Sequence, residues 1–419
     1  MTRLFQRLGL SLALAAGAVL AIAQDNPITD ERKQDVLEAM GRIIENQAFV
    51  PGVDFSKWSD FVKKHQSSID RAKTEPEFAD AMNGALLEFG FSHIVLASPR
   101  AARARVERKV VGIGIQVQGE ENGLRVTAVF PDTPAEEVGL MPGDLLVEAD
   151  GKKITPGMTL VGEEGTEVTF AIMRGEEKKT FTVKRRKYSN VRKDTLTWPN
   201  KDTAVLTVHT FDLSYDRKRI DELMGEAAKA KNLIIDLRNN GGGVVINMLH
   251  LCGHFLDSDT ILGTFINRGL VRQYLRETEG GKPTDLKAIA EWAEQGKIKP
   301  LRVPNGPFEG NVAVLVNGGS GSASEITAAA LKEHRNSPII GTKSAGAVLV
   351  SMMSPLPGGW SLQFPLMDYV TYRGVRLEGN GLVPDAEAPT PRFNQADVAI
   401  EKALAMISKG RGGLKTHTK

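Results

Sequence analysis

Three serines alternate with small residues in "GGSGSASEITAAALKEH" (318–334), directly after the apolar run "VAVLVN" (312–317). A buried run that breaks into glycine and serine and then takes up helical periodicity is a strand–loop–helix junction able to present a nucleophile. Ser322 stands just before the helical pattern, so its Oγ and the N–H of Ala323 face the positive end of a helix dipole. Ser320 then reads as a turn residue and Ser324 as a helix N-cap. A second junction, "IDLRNNGGG" (235–243), ends in a glycine triplet whose backbone N–H groups no side chain shields. Such donors can hold negative charge developing on a carbonyl oxygen. Gly241 and Gly242, together with Ala323, are the candidate donors. The plain alternative for either stretch is a tight turn closing a buried strand.

A nucleophilic serine needs a proton acceptor, and the histidines are the first place to look. His93 follows "TEPEFADAMNGALLEFG", in which Thr74 and Glu77 have capping-box spacing and Phe78, Met82, Leu86 and Phe89 recur at helical spacing. Gly90 can stop that helix, which leaves His93 in a loop or on a short strand beyond it. His209 falls in the strand-like "LTVHTF", and His334 falls near the end of the helix that follows Ser322. His250 and His254 stand four apart on one helix. No glutamate lies between them in an HExxH arrangement and no third ligand is evident, so the residues give no expectation of a metal.

The elements that must carry these groups alternate from about residue 200 onward. "AVLTVHTFDL", "NLIIDLRNN", "NVAVLVN" and "PIIGTK" read as strands; "YDRKRIDELMGEAAKAK" and "VVINMLHLCGHFL" read as helices between them. That alternation predicts an α/β domain with a covered sheet. Residues 24–105 read as helical, and residues 106–187 as short strands separated by Gly, Pro and Asp turns. A basic, polar connector, "KRRKYSNVRKDTLTWPN", leads into the last unit, 188–419.

The first 23 residues carry Arg3 and Arg7, then an apolar stretch, then Ala21-Ile22-Ala23, the layout of a cleaved secretory signal. The apolar stretch is shorter than the ~20 residues that span a bilayer, so no stable anchor is expected after cleavage. Without this segment the chain holds 51 basic and 51 acidic residues, a balance that gives no basic face for nucleic acid. Cys252, the only cysteine, cannot form an internal disulfide and reads as a small core residue. The expected location is therefore exported, periplasmic or extracellular.

Residues 109–186 resemble a PDZ domain: "TPAEEVGLMPGDLLVEADGKKI" matches its short helix, turn and strand. "GIGI" (Gly112, Ile113, Gly114 and Ile115) matches the loop that binds a peptide carboxylate through backbone N–H groups. After "DGKKI" only "TPGMTLVGEEG" precedes the next strand, so the helix that would wall the groove reads as truncated or missing. The whole arrangement of helical region, PDZ module, "DLRNNGGG", "NGGSGSASE" and "EGNGLVPD" (378–385) resembles the C-terminal-processing (tail-specific) serine protease family. The resemblance implies a crotonase-like (ClpP/crotonase) α/β core bearing an N-terminal helical region and an inserted PDZ. It also implies protein or peptide substrates, no cofactor, and Ser322 as nucleophile.

Many members pair the serine with a lysine in a downstream "FGKG" stretch. Aligning Gly341 and Gly346 of "GTKSAGAVLVS" puts Ala347 at the lysine position and Ser351 where a supporting glutamine stands; Lys343 lies on the strand side of the turn. Two readings follow: a catalytically inactive relative that holds peptides or lipids, or an enzyme with another base. "FGFSHIVL" and "SAGA" (344–347) are similar to the tricorn-like branch, in which a histidine replaces the lysine. That resemblance implies His93 as general base, Ser92 as its ring contact and Glu378 as the assisting glutamate. A core of this kind could also host chemistry on acyl thioesters, although export and a PDZ module suit protein substrates better.

Overall fold

A computed structural model describes residues 26–413 apart from 108, 156–161, 392–394 and 410. The signal-like segment lies outside the described residues, as does much of the stretch where the PDZ groove helix would stand.

The alternating apolar runs form one six-stranded sheet, in the order 195–200, 203–207, 232–236, 311–316, 339–341, 386–387. The first pair is antiparallel and every later pair is parallel. Its central strands are apolar on both faces because both faces are covered. Helices Arg217–Ala227, Val245–Gly253 and Ala323–Arg335 share one core with alternate strand residues such as Leu233, Ile235, Val312 and Val314. The intervening residues Ile234, Ala313 and Leu315 face helix Val398–Ile407 on the other side. Loops at the C-terminal ends of strands 232–236 and 311–316 are the two glycine junctions, and parallel pairing sets them side by side.

A second, antiparallel sheet is built around the long strand Ser361–Thr371, which pairs with 95–97, 263–267 and 350–355. The three N-terminal helices, Asp30–Asn46, Trp58–Arg71 and Glu75–Leu87, pack on it. Val36, Met40, Phe78, Met82 and Leu86 share a core with Leu349, Leu356, Trp360, Leu362 and Phe364. The helical region is therefore seated on the sheet, and residues 92–97 run straight from its last helix into strand 95–97.

The β-rich unit is a sheet in the order 115–120, 123–129, 145–149, 167–174, 177–184 around Val126, Leu146, Phe170 and Ile172. The expected connector is not a plain loop. Residues 186–189 pair with 109–112 as a two-stranded ribbon that leads into and out of this unit, and 195–200 form the edge of the main sheet.

Candidate active site

The serine loop is tied to the glycine loop by its own flanking hydroxyls. Buried Ser320 donates from Oγ to Leu237 O at 2.8 Å, and buried Ser324 donates to Asn240 O at 2.8 Å. Asn317 Oδ1 accepts from the N–H groups of Asn239 and Gly319, at 2.9 and 3.0 Å. Ser320 and Ser324 are thus spent on architecture, which leaves Ser322 as the half-exposed hydroxyl of the three. The helix cap differs from expectation: Ser322 is the N-cap, and Ser324 already lies in the first turn.

Ser322 has φ 54° and ψ −116°, outside the comfortable range of an L-residue. Among the described residues six non-glycines have positive φ, and four of these are Asn or Asp, which tolerate it. The other two are Ser322 and His93 (φ 60°). Strain held at two chemically capable side chains makes them candidates for a functional site.

Around His93 the side chains form a relay. Ser92 Oγ donates to Glu378 Oε2 at 2.9 Å, and its N–H donates to Glu378 Oε1 at 2.7 Å. With its one proton given to the carboxylate, the Ser92 hydroxyl must accept from His93 Nδ1, 2.6 Å away. The ring is thereby fixed with Nδ1 protonated and Nε2 carrying the lone pair. Burial pushes the imidazole down to about 4, and pushes the Glu378 carboxyl up against the pull of its three hydrogen bonds.

The segment 344–348 joins the two halves. Ser322 N–H donates to Ala347 O at 2.7 Å, and the next residue, Val348, donates its N–H to Glu378 Oε2 at 2.8 Å. Ala347, at the expected lysine position, is buried and contributes only backbone, while Lys343 is exposed on the outside of the turn. Ser351 accepts a hydrogen bond from Gln363. The residue that holds this segment is Glu325, which is fully buried. Its carboxylate accepts from Ser344 Oγ at 2.5 Å, from the N–H groups of Gly346 and Ala347 at 2.8 Å, and from Ser322 N–H at 3.1 Å. Sequence reasoning assigned Glu325 no role, although it stands three residues after Ser322 in the S-x-x-E spacing of a capping box.

The glycine loop closes over the same point. A Cβ built on Gly242 would lie 2.7 Å from Ser322 Cβ and 2.9 Å from Ala323 N, so only glycine fits there, at φ 96°. Gly242 is not a free donor, however. Its N–H is held by Asn240 Oδ1 at 3.0 Å, so its part is close approach; Gly241, exposed on the preceding turn, is the remaining candidate of the pair.

In the β-rich unit, the carbonyls of Ile113 and Gly114 accept from Ala135 and Phe130, and Gly112 pairs with Arg186. Gly114 (φ 89°) packs against Thr133 so closely that a Cβ would overlap it. Strand Ile115–Glu120 is at the edge of its sheet.

Residues 202–388 match the profile of peptidase family S41, and residues 111–184 match that of a PDZ domain. A probable CtpA-like serine protease of Staphylococcus haemolyticus is 27% identical over 301 residues, covering 69% of this chain and 54% of that protein. One of Staphylococcus aureus is 26% identical over 368 residues, covering 85% of this chain and 68% of the relative. Residues 202–388 carry a peptidase family S41 domain. The chain spans about half the length of the first of these relatives and two thirds of the second. The solved structure of mature CPAF complexed with lactacystin superposes with a TM-score of 0.54 at 14% identity, over 90% of this chain and 97% of that one. A putative S41 protease from Bacteroides fragilis does so with 0.51 at 16% identity, over 72% and 83%. At these identities the likeness speaks for the S41 fold alone.

The Glu325 cluster gives the protein a stability test. Glu325→Ala would leave the buried N–H groups of Gly346 and Ala347 and the Ser344 hydroxyl without their acceptor, a loss of about 3 kcal/mol or more. Urea unfolding should show a lowered midpoint, and Glu325→Gln, which keeps an acceptor oxygen, should lose less.

Proposed function

We propose that this protein is an exported serine endopeptidase working through a Ser322–His93 pair, the arrangement of the tricorn-like branch. Ser322 Oγ attacks the carbonyl carbon of a peptide bond while His93 Nε2 takes its proton. The C–N bond then breaks, Nε2 returns the proton to the leaving amine, and an acyl ester remains on Ser322. Water, deprotonated by the same nitrogen, releases the acid. Ala323 N–H at the helix start and Gly241 N–H hold the oxyanion. Ser92 and Glu378 are positioning residues that keep the lone pair on Nε2. Export rests on the signal-like layout of the first 23 residues. The edge strand 115–120, next to the Gly112–Ile115 loop, offers backbone groups along which a substrate C-terminus could add as a strand.

The observation that carries this reading is the Glu378–Ser92–His93 chain of hydrogen bonds, because it leaves one imidazole nitrogen with a free lone pair. Ala347 in place of a lysine supports the competing reading, a binding protein that has lost its chemistry. A serine-reactive phosphonate separates the two. Covalent labelling mapped by mass spectrometry to the peptide containing Ser322 is the expected result; folded protein that never labels would leave the binding protein as the answer.

Gly242→Ala tests the oxyanion geometry. The new methyl would meet Ser322 Cβ and Ala323 N inside van der Waals contact, so kcat/KM on a peptide substrate should fall on the order of 10²–10³. Steady-state kinetics, with circular dichroism to verify folding, would read it.

A further inference from the structure

The histidine pair that lacked a third ligand in the sequence has one in the fold. Helix Arg217–Ala227 packs against helix Val245–Gly253 and brings Asp221 to His250 and His254. Asp221 Oδ1 lies 3.2 Å from His250 Nε2 and 2.9 Å from His254 Nε2, and the ligand atoms of all three residues fall within 4.8 Å of one another. Neither contact is a hydrogen bond. Asp221 Oδ1 and His254 Nε2 are buried polar atoms without a hydrogen-bond partner although they nearly touch. Polar atoms this close and without a hydrogen-bond partner have the spacing to share an ion.

We propose that Asp221, His250 and His254 bind a zinc-class divalent cation. Two ligands ~2.0–2.1 Å from a tetrahedral ion stand ~3.3 Å apart, near the spacing found here. The surroundings suit the role. Tyr215 Oη lies 3.1 Å from His250 Nδ1, so the phenol oxygen can accept the Nδ1 proton and leave Nε2 to the metal, as outer-shell partners of metal-bound histidines do. Asp221 is half-buried, so the cluster lies near the protein surface.

The ion acts as a brace. The same two helices are already joined one turn earlier, where Arg217 donates to Asn247 Oδ1 and Asn247 donates to the carbonyls of Phe211 and Asp212. Helix Val245–Gly253 begins directly after the glycine triplet that faces Ser322. A metal clamp at its far end fixes the axis on which that triplet is mounted.

The full-length protein, stripped with a chelator, should take up one equivalent of Zn²⁺ by calorimetry, and Co²⁺ should give the visible absorption of a tetrahedral nitrogen–oxygen site. Zn²⁺ should also raise the Tm. Asp221→Asn, nearly isosteric, and His250→Gln should each weaken binding at least ~10-fold and abolish the Tm rise, while phosphonate labelling persists. Absence of stoichiometric zinc uptake, or binding unchanged in both variants, would overturn the site.

Discussion

Ser322→Ala is expected to lower kcat on the order of 10⁴–10⁶ while leaving substrate binding within a few-fold. The substitution removes one oxygen from a residue whose backbone is held independently of it, by Ala347 O and Glu325 Oε2. The two neighbouring serines cannot take over. Ser320 and Ser324 are buried and donate to carbonyls of the 237–240 loop, so neither hydroxyl can swing out without breaking the junction. Peptide turnover and active-site titration with a phosphonate would measure the loss. Residual turnover at a tenth of wild type or more would exclude Ser322 as the nucleophile, and affinity for a non-cleaved peptide should survive.

His93→Gln should cost on the order of 10²–10⁴ in kcat. Glutamine can still meet the Ser92 hydroxyl, but it has no nitrogen lone pair at the position of Nε2. The wild-type pH profile should show why this histidine differs from an exposed one. The reactive form is neutral, so activity persists above the pKa and falls below it. Burial pushes that pKa down to about 4, so kcat/KM should hold as pH drops through the ~6.5 of an ordinary histidine and be lost only near 4. Stability follows with the same sign. The unfolded chain takes up a proton at His93 near ~6.5 and the folded chain resists it, so this residue's contribution is present above ~6.5 and is lost as pH falls toward about 4. An acid limb centred near 6.5 that persists in His93→Gln would place the base elsewhere.

Local pattern carried the fold well where structure is local. The runs at 233–235 and 312–316 are apolar throughout because helices cover both faces, and Thr74 and Glu77 form the capping box that their spacing predicts. The second sheet was hidden. Its long strand contains Pro365, which reads as a strand breaker; the sheet tolerates it opposite Ser351, beside a register shift at Val350/Ser351. The connector at 186–200 looked like a charged linker because edge and ribbon strands expose alternate residues. For the candidate site, Ser322 was legible as a residue at a strand–loop–helix junction. The relay at His93 was not, since its partners lie far apart in the chain and only the resemblance linked them. Asp221 was invisible for a similar reason: its ligand geometry is set by the contact between two helices, and no spacing along the chain records it.

The Ser92–Glu378 hydrogen bonds join positions 286 apart. Synthesis runs from the N-terminus, so the histidine emerges first, Ser322 more than two hundred residues later, and the glutamate that orients the histidine later still. A chain still being made, or not yet folded, therefore carries Ser322 without the oriented histidine proposed to serve it. Drawing the candidate site from segments this far apart ties the proposed Ser322–His93 chemistry to completion of the fold between residues 92 and 378.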